Sequence, residues 1–496
     1  MLGRGRQLYR ELISIALSEG YQITEKALKI FEESETPVED LMRTIEYIKK
    51  HDPELSIIDA EHIVRTQPVL EKTQNNSRQV VEETTMVYTP NIMIQNSVEE
   101  NQRIEGSVEE FRHYFQNRYY SIRRLLERRR LNFIPVSEAF SVKDGEEVYL
   151  AVMVQGKRER KNSVAVEVDD PSGVLTVVVP RKNQQLYKQT AELLNDVVLG
   201  LKVRRAGNLY VLREIIYPDV EEMNYKNLPP APEAYVCLIS DVHVGSKNFR
   251  KDLFEKFLDW LSRGRDGVVK RISHIVVDGD LVEGVGVYPG QENDLLVKNV
   301  EDQLKQAADL LAEIPERIEI VFSPGNHEPV RKAIPQPPLQ TRYREIVNAK
   351  RKVHFVSNPA TLVFDGRRIL AYHGQGLDEL IQSLPDVSYS NLKETAPRVI
   401  ASMLRFRHLA PVYGENTQLM PTEEDRLVIS EQPHLLQTGH IHVTVNTSYR
   451  GVLLVNAGAW QDQTDYQKSM GLEPMVGYAA LLNIARMTVQ LKYFGA

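Results

Sequence analysis

Five short apolar runs in this chain share one habit. Each ends in Asp, Asn or His, usually beside glycine. Residues 235–239 lead into Ser240-Asp241-Val242-His243-Val244-Gly245, and residues 275–277 into Asp278-Gly279-Asp280. Residues 318–322 lead into Ser323-Pro324-Gly325-Asn326-His327-Glu328, and residues 369–372 into His373-Gly374. Leu435 and Leu436 precede Thr438-Gly439-His440-Ile441-His442. Continuous apolar runs of this length predict buried strands. Ligands of open α/β sheets gather at the carboxyl ends of strands, and glycine lets backbone approach closely. Asp241 and His243 are two residues apart, so on an extended segment both can face one ion. One such turn is well explained as an unremarkable strand-to-loop connection; five in series are not.

The chain before these runs divides by pattern. Residues 1–66 predict a small helical domain, with Leu8, Leu12, Ile13 and Ala16 at helical spacing and Thr36-Pro37-Val38-Glu39 as a helix start. Nothing in it offers catalytic chemistry. Residues 67–107 turn polar and aperiodic and predict a flexible linker, with Val87 and Ile92 to Ile94 able to pin part of it to a surface. Residues 108–130 predict a helix carrying Arg112, Arg118, Arg123, Arg124 and Arg128 to Arg130 among Phe115, Tyr119 and Tyr120. Arginine with interleaved aromatics suits phosphate and base contacts, and equally a solvated amphipathic face. Residues 131–218 predict three strands, a short helix and two more strands, the order of an OB-fold β-barrel. Arg158, Lys161 and Arg181 lie in its loops and are candidates for nucleic-acid contact. A Pro-rich connection, 219–233, precedes an α/β domain over 234–496. Within it, residues 376–432 form an insertion whose Arg405 and Arg407 are further candidates for a DNA path.

Composition narrows the classes. A formal net charge of −7 argues against a protein that coats nucleic acid along its whole surface, though local basic patches remain open. The single cysteine, Cys237, excludes intrachain disulfides and Cys-based zinc sites and fits a reducing cytoplasm. No apolar run reaches the roughly 20 residues of a membrane helix, and Arg4 and Arg6 have no adjoining signal-peptide core.

The ordered set D-x-H, G-D, G-N-H-E, H-G and G-H-x-H resembles the calcineurin-like metallophosphoesterases. An OB-fold directly ahead of such a domain resembles the small (B) subunits of replicative DNA polymerases, as does the segment Gly284-Val285-Gly286-Val287-Tyr288-Pro289-Gly290-Gln291. Because every metal-ligand motif is intact, the pattern is similar to the small subunit of the archaeal family D polymerase. The resemblance implies a 3′–5′ exonuclease that proofreads primer 3′ ends, single-stranded or mispaired, and that scaffolds a large catalytic subunit. Alternatives are a stand-alone phosphodiesterase or nuclease, and a non-catalytic structural subunit. It further implies that Asp241, His243, Asp280 and His442 hold one divalent ion, and that Asn326, His373 and His440 hold a second, with Asp280 bridging. A donor set of nitrogen and oxygen without sulfur suits a pair of borderline or hard divalent ions such as Mn, Fe, Zn or Mg, and the resemblance points to Mn as the ion in activity. His327 would face the phosphate and serve the leaving oxygen.

Overall fold

The computed structural model describes residues 88–100 and 104–495 without a break. Of the N-terminal segment it describes residues 9, 12–17, 19, 21–32, 37–51, 57–59 and 63. The chain divides into two compact units, Met1–Thr84 and Thr85–Ala496.

In the first unit, helices Glu25–Glu32 and Pro37–His51 pack around Leu12, Ala16, Leu28, Phe31, Leu41 and Ile45. Strands Gln22–Ile23 and Ile57–Ile58 pair in parallel beside them. The expected cap Thr36 and linker residues 67–87 lie outside the described residues.

The second unit opens with strand β1 (Ile92–Asn96) and helix α1 (Val108–Glu127), which begins at a capping box formed by Ser107 and Glu110. Then come β2 (Phe133–Ile134), β3 (Glu147–Glu159), β4 (Ser163–Asp170), β5 (Gly173–Pro180), α2 (Gln184–Ala191), β6 (Val198–Ala206) and β7 (Leu209–Ile216). Their order is β2-β3-β4-β5-β7-β6, and β6 pairs back onto β3. The result is a closed five-stranded barrel with β5 and β7 parallel. Its interior is filled by Val152, Val154, Val166, Val177, Leu199, Leu201 and Leu212.

The remaining elements form two stacked six-stranded sheets. β8 (Tyr235–Ile239), α3 (Lys251–Arg263), β9 (Ile272–Asp278), α4 (Val300–Ala312), β10 (Glu319–Ser323) and β11 (His354–Phe355) build the parallel part of the first. β12 (Ala360–Phe364), β13 (Arg367–Ala371), α5 (Leu377–Ser383), α6 (Leu392–Phe406), β14 (Leu435–Thr438), β15 (Thr444–Tyr449) and β16 (Val452–Ala457) build most of the second. After α7 (Asp465–Met470), β17 (Tyr478–Asn483) and β18 (Thr488–Tyr493) complete the first sheet, whose order is β11-β10-β9-β8-β17-β18. Period-2 alternation assigns the faces. Tyr235, Cys237 and Ile239 of β8 meet α3 and α4 through Phe254, Phe257 and Leu304. Val236 and Leu238 point the other way, against Leu362, Phe364, Ile369 and Leu435 of the second sheet.

That second sheet runs β15-β16-β14-β13-β12-β1. Its last strand is a correction to the sequence reading. Residues 92–96, expected within a linker, pair antiparallel with β12 from Ile92↔Phe364 to Asn96↔Ala360. Ile92 and Ile94 supply the apolar contact for this edge. The domain expected to begin at 234 therefore borrows a strand from ahead of the barrel. The insertion is also not a free surface: Val399, Ile400, Met403 and Leu404 of α6 share one continuous core with the barrel. Among the described residues no helix is long and apolar enough to cross a membrane.

Candidate metal centre

All five strand-end loops converge. Asp241 and His243 follow β8, Asp280 follows β9, Asn326 to Glu328 follow β10, His373 follows β13, and His440 and His442 follow β14. Backbone bonds tie neighbouring loops together: Asp241 N–H donates to the Gly279 carbonyl at 3.0 Å and His243 N–H to that of Asp280 at 2.9 Å. Five of the candidate ligands occupy left-handed backbone: Asp241, His243, Asp280, His440 and His442 have φ between 53° and 67°. Such conformations cost non-glycine residues about 1–3 kcal/mol each and cluster at functional sites. Two glycines leave the room the donors use. A Cβ on Gly325 would fall 2.2 Å from Asp280 Oδ1 and 2.7 Å from His373 Nε2. One on Gly439 would fall 2.6 Å from Asp241 Oδ2.

The donor atoms form a continuous chain. His442 Nε2 is 3.3 Å from Asp241 Oδ1 and 3.1 Å from His243 Nε2. His243 Nε2 is 3.9 Å from Asp280 Oδ2, and His373 Nε2 is 3.1 Å from that same oxygen. Asn326 Oδ1 is 3.2 Å from His373 Nε2 and 3.0 Å from His440 Nδ1. Among the described residues three groups could hold a metal ion: Asp241–His243–His442, Asp280–His373–His440 and His243–Asp280–His327. His243 and His442 face each other through Nε2 beside the Asp241 carboxylate, all three buried. That donor set fits divalent cations bound through nitrogen and oxygen.

Each ring is held from behind, in three of the four cases by a residue that was not among the sequence candidates. Glu283 Oε2 lies 3.0 Å from His243 Nδ1. Asp378 Oδ2 lies 3.0 Å from His440 Nε2, and the Gln467 amide lies 2.9 Å from His442 Nδ1. The backbone carbonyl of Asp278 lies 2.8 Å from His373 Nδ1. Such partners fix which ring nitrogen faces a metal. Tyr389 donates in turn to Asp378 (2.7 Å), and the Tyr288 hydroxyl lies between Asp294 (2.9 Å) and Glu283 (3.1 Å). Only Glu283 carried a sequence signal, being an acid three residues after Asp280 in an otherwise apolar stretch.

Electrostatics follow the packing. Burial alone would raise the Asp280 carboxyl, but His373, His327 and His243 hold it well below the carboxylate range. Burial disfavours charge on His373, yet Asp280 and Asp241 raise it to about 10. Likewise His243, against its burial, is raised to about 9 by Glu283, Asp280 and Asp241. Asp278 is driven up to about 8 by burial, and neither carboxylate oxygen has a hydrogen-bond partner in the protein. Glu328 is raised to about 7 by burial and by Asp280, while accepting from the backbone of Asp280, Leu281, Val282 and Gly325. It buttresses the loop that carries Asp280.

His327 is 11% exposed and sits at the rim. Its Nδ1 is 2.6 Å from the Glu283 carbonyl, so that nitrogen carries the proton, and Nε2 lies 3.8 Å from Asp280 Oδ2. Burial lowers its pKa, against the pull of Asp280.

The basic candidates are scattered. Arg405 is paired with Glu192 at 2.6 Å and stacked 3.8 Å from the Tyr217 ring. Arg407 is 4% exposed and closes the C-terminus of α6 in left-handed backbone. Both belong to the joint between insertion and barrel, which corrects the expectation of a DNA path there. Arg118 of α1 is wholly buried and bonded to Asp425 at 2.7 Å, so it is not a phosphate contact either. Arg181 pairs with Glu159. Arg158 is 83% exposed, 3.8 Å from Glu167, and Lys161 is exposed.

The comparisons with known proteins agree with this architecture. Residues 236–444, which hold all seven candidate ligands, match the family model for the B subunits of DNA polymerases alpha and epsilon. The DNA polymerase II small subunit of Methanothermobacter thermautotrophicus is 36% identical over 387 residues, 76% of this chain and 78% of that protein. That of Archaeoglobus fulgidus is 36% identical over 396 residues, 79% of this chain and 78% of that protein. A solved archaeal phosphodiesterase is 12% identical with a TM-score of 0.26, covering 52% of this chain and 98% of its own, a likeness too weak to carry an argument. With that identity sustained across most of both chains, barrel and strand-end loops included, the chain belongs to the family of archaeal DNA polymerase II small subunits, the small subunits of family D DNA polymerase.

Proposed function

We propose that this chain is the 3′–5′ exonuclease subunit of its polymerase, with an OB-fold barrel, a calcineurin-like phosphoesterase domain and a two-ion centre. The observation that carries the reading is the unbroken chain of ligand atoms from His442 to His440, with Asp280 standing in two of the three metal-competent groups. A structural subunit with no chemistry has no use for five ligand positions in left-handed backbone, four of them buried. Asp241, His243 and His442, with Asp280, would hold one divalent ion. Asn326, His373 and His440, with Asp280, would hold the other. When bound, such a pair supplies a nucleophile at neutral pH and neutralises charge on the phosphate.

The protein's own groups do the rest. Glu283, Asp378, Gln467 and the Asp278 carbonyl orient the four rings. His327 presents Nε2 at the rim because Nδ1 is committed to the Glu283 carbonyl. An arriving phosphate adds the negative charge that favours a proton on Nε2, and that proton serves the departing 3′-oxygen of the penultimate nucleotide. The products are a nucleoside 5′-monophosphate and a strand shortened by one. Frayed or mispaired ends are favoured because a buried centre cannot reach a phosphate in intact duplex without unpairing. Exposed Arg158 and Lys161 are the remaining barrel candidates for holding the strand. The relatives are named small subunits, so a large catalytic subunit is the expected partner.

The test follows a 5′-labelled, 3′-mismatched primer–template with Mn²⁺ and then with chelator. A descending ladder that stops on chelation supports the reading. Immediate release of a short labelled product, or equal digestion of a 3′-blocked strand, overturns it. His327→Ala should keep its metal content and lose roughly 10²–10⁴ in turnover. Loss of metal instead would make His327 a ligand.

A further inference from the structure

An aromatic pair, Tyr288 and Tyr466, lines the rim of the metal centre. Tyr466 is 48% exposed. One face of its ring lies on Tyr288, with centroids 5.3 Å apart and planes at 24°. Tyr288 lies 6.2 Å from the His327 ring. The ladder Tyr466–Tyr288–His327 thus runs from solvent to the group that faces the scissile phosphate. Both tyrosines are anchored to the ligand shell. The Tyr288 hydroxyl lies 3.1 Å from Glu283, which backs His243. Tyr466 stands on α7 next to Gln467, which bonds His442. Helix α7 is itself fixed by a capping box of Thr464 and Gln467.

A half-exposed ring, stacked on Tyr288 beside a phosphoesterase centre, has the features of a stacking surface. Nucleobases stack on tyrosine without regard to sequence, because every base has a π-face. We propose that Tyr466, backed by Tyr288, binds the unpaired base at the 3′ end of a DNA strand and so presents its terminal phosphodiester to the centre. This rests on the exonuclease reading and adds the feature by which a single-stranded end is recognised. A paired base is already stacked within its duplex and leaves the platform empty, so the contact selects frayed ends.

Two measurements separate this inference from the reading beneath it. The first is binding without metal: an oligonucleotide with 2-aminopurine at its 3′ terminus, in chelator, added to the full chain. Stacking quenches the fluorophore. Tyr466→Ala should abolish the quench and Tyr466→Phe should keep it; a quench unchanged in Tyr466→Ala overturns the proposal. The second is a ratio of rates with Mn²⁺ for a normal and an abasic 3′-terminal nucleotide. Wild-type protein and Tyr466→Phe should prefer the normal end by on the order of tenfold, and in Tyr466→Ala the ratio should fall to near one. A Tyr466→Ala ratio equal to wild type also overturns it. A Tyr466-dependent quench in a protein that cleaves neither substrate would sink the exonuclease reading and leave the stacking site standing.

Discussion

Asp425→Ala should loosen the joint between α1 and the insertion without touching the metal centre. Arg118 and Asp425 form a buried pair, with side chains 1% and 0% exposed and 2.7 Å between Nε and Oδ2. Asp425 also accepts from the Tyr114 hydroxyl at 2.8 Å and lies 2.9 Å from His408 Nε2. Removing one partner of a buried pair strands the other charge and costs about 3–5 kcal/mol. Here three further donors, Tyr114, His408 and the Leu427 amide, lose their acceptor, so the upper part of that range applies. Arg118 keeps only the Pro411 carbonyl at 2.6 Å and a long contact to that of Asp196. The damage should appear where these groups sit, and native-state hydrogen exchange reads it locally. Amides of α1 should lose roughly three to three and a half orders of magnitude of protection, while those of β8 and β9 hold theirs. Arg118→Met combined with Asp425→Leu removes both charges and should recover most of the loss. Wild-type exchange of α1 in Asp425→Ala, or a double variant no better than the single, would refute the reasoning.

The same joint should weaken in mild acid. His408 is lowered to about 4, by burial and then by Arg118, against the pull of Asp425. An unfolded histidine binds its proton near 6.5, so between about pH 6.5 and 4 the unfolded state holds more protons and stability falls as pH falls, by about 3 kcal/mol. His408→Asn should flatten that slope in urea titrations; an unchanged slope would assign it elsewhere. Gly325→Ala should fold yet lose metal, because its Cβ would fall on the Asp280 and His373 donors; wild-type metal content by mass spectrometry would contradict this. On the two-ion reading, Asp280→Asn should lower bound Mn²⁺ by more than half, since Asp280 Oδ2 lies 3.9 Å from His243 Nε2 and 3.1 Å from His373 Nε2; full occupancy would argue against sharing. A fragment starting at residue 107 lacks β1 and should aggregate through the bare edge of β12, whereas one starting at residue 88 should stay monodisperse in light scattering; equal behaviour of the two would make β1 dispensable.

The ligand positions were legible because strand ends punctuate a sequence visibly: an apolar run stops, and Asp, Asn or His follows beside glycine. The barrel was legible for the same reason, its strands alternating between turn-rich breaks such as Asp170 to Gly173. What stayed hidden is what sequence distance obscures. Asp378 and Gln467 support rings whose own residues are 62 and 25 positions away, and no local pattern marks either one. Arg118, Arg405 and Arg407 read as surface cations because arginine usually is one; Asp425 and Glu192, the partners of Arg118 and Arg405, lie in other elements, and Arg407 donates to the Ser430 carbonyl. Residues 92–96 looked like linker because a five-residue edge strand, buried on one side only, carries little apolar signal.

That edge strand also sets an order of events during synthesis. Asn91 bonds to Asp365, 274 residues further on. At about 5–20 residues per second, a ribosome needs roughly 14–55 s to deliver β12 after β1 has emerged. The barrel, whose pairings all fall between residues 133 and 216, can close within that interval, while β1 waits unpaired at the base of an already folded neighbour. In a growing chain, β1 is the segment that most needs shelter, and a chaperone that shields one short apolar stretch would matter more here than one that encloses a whole domain.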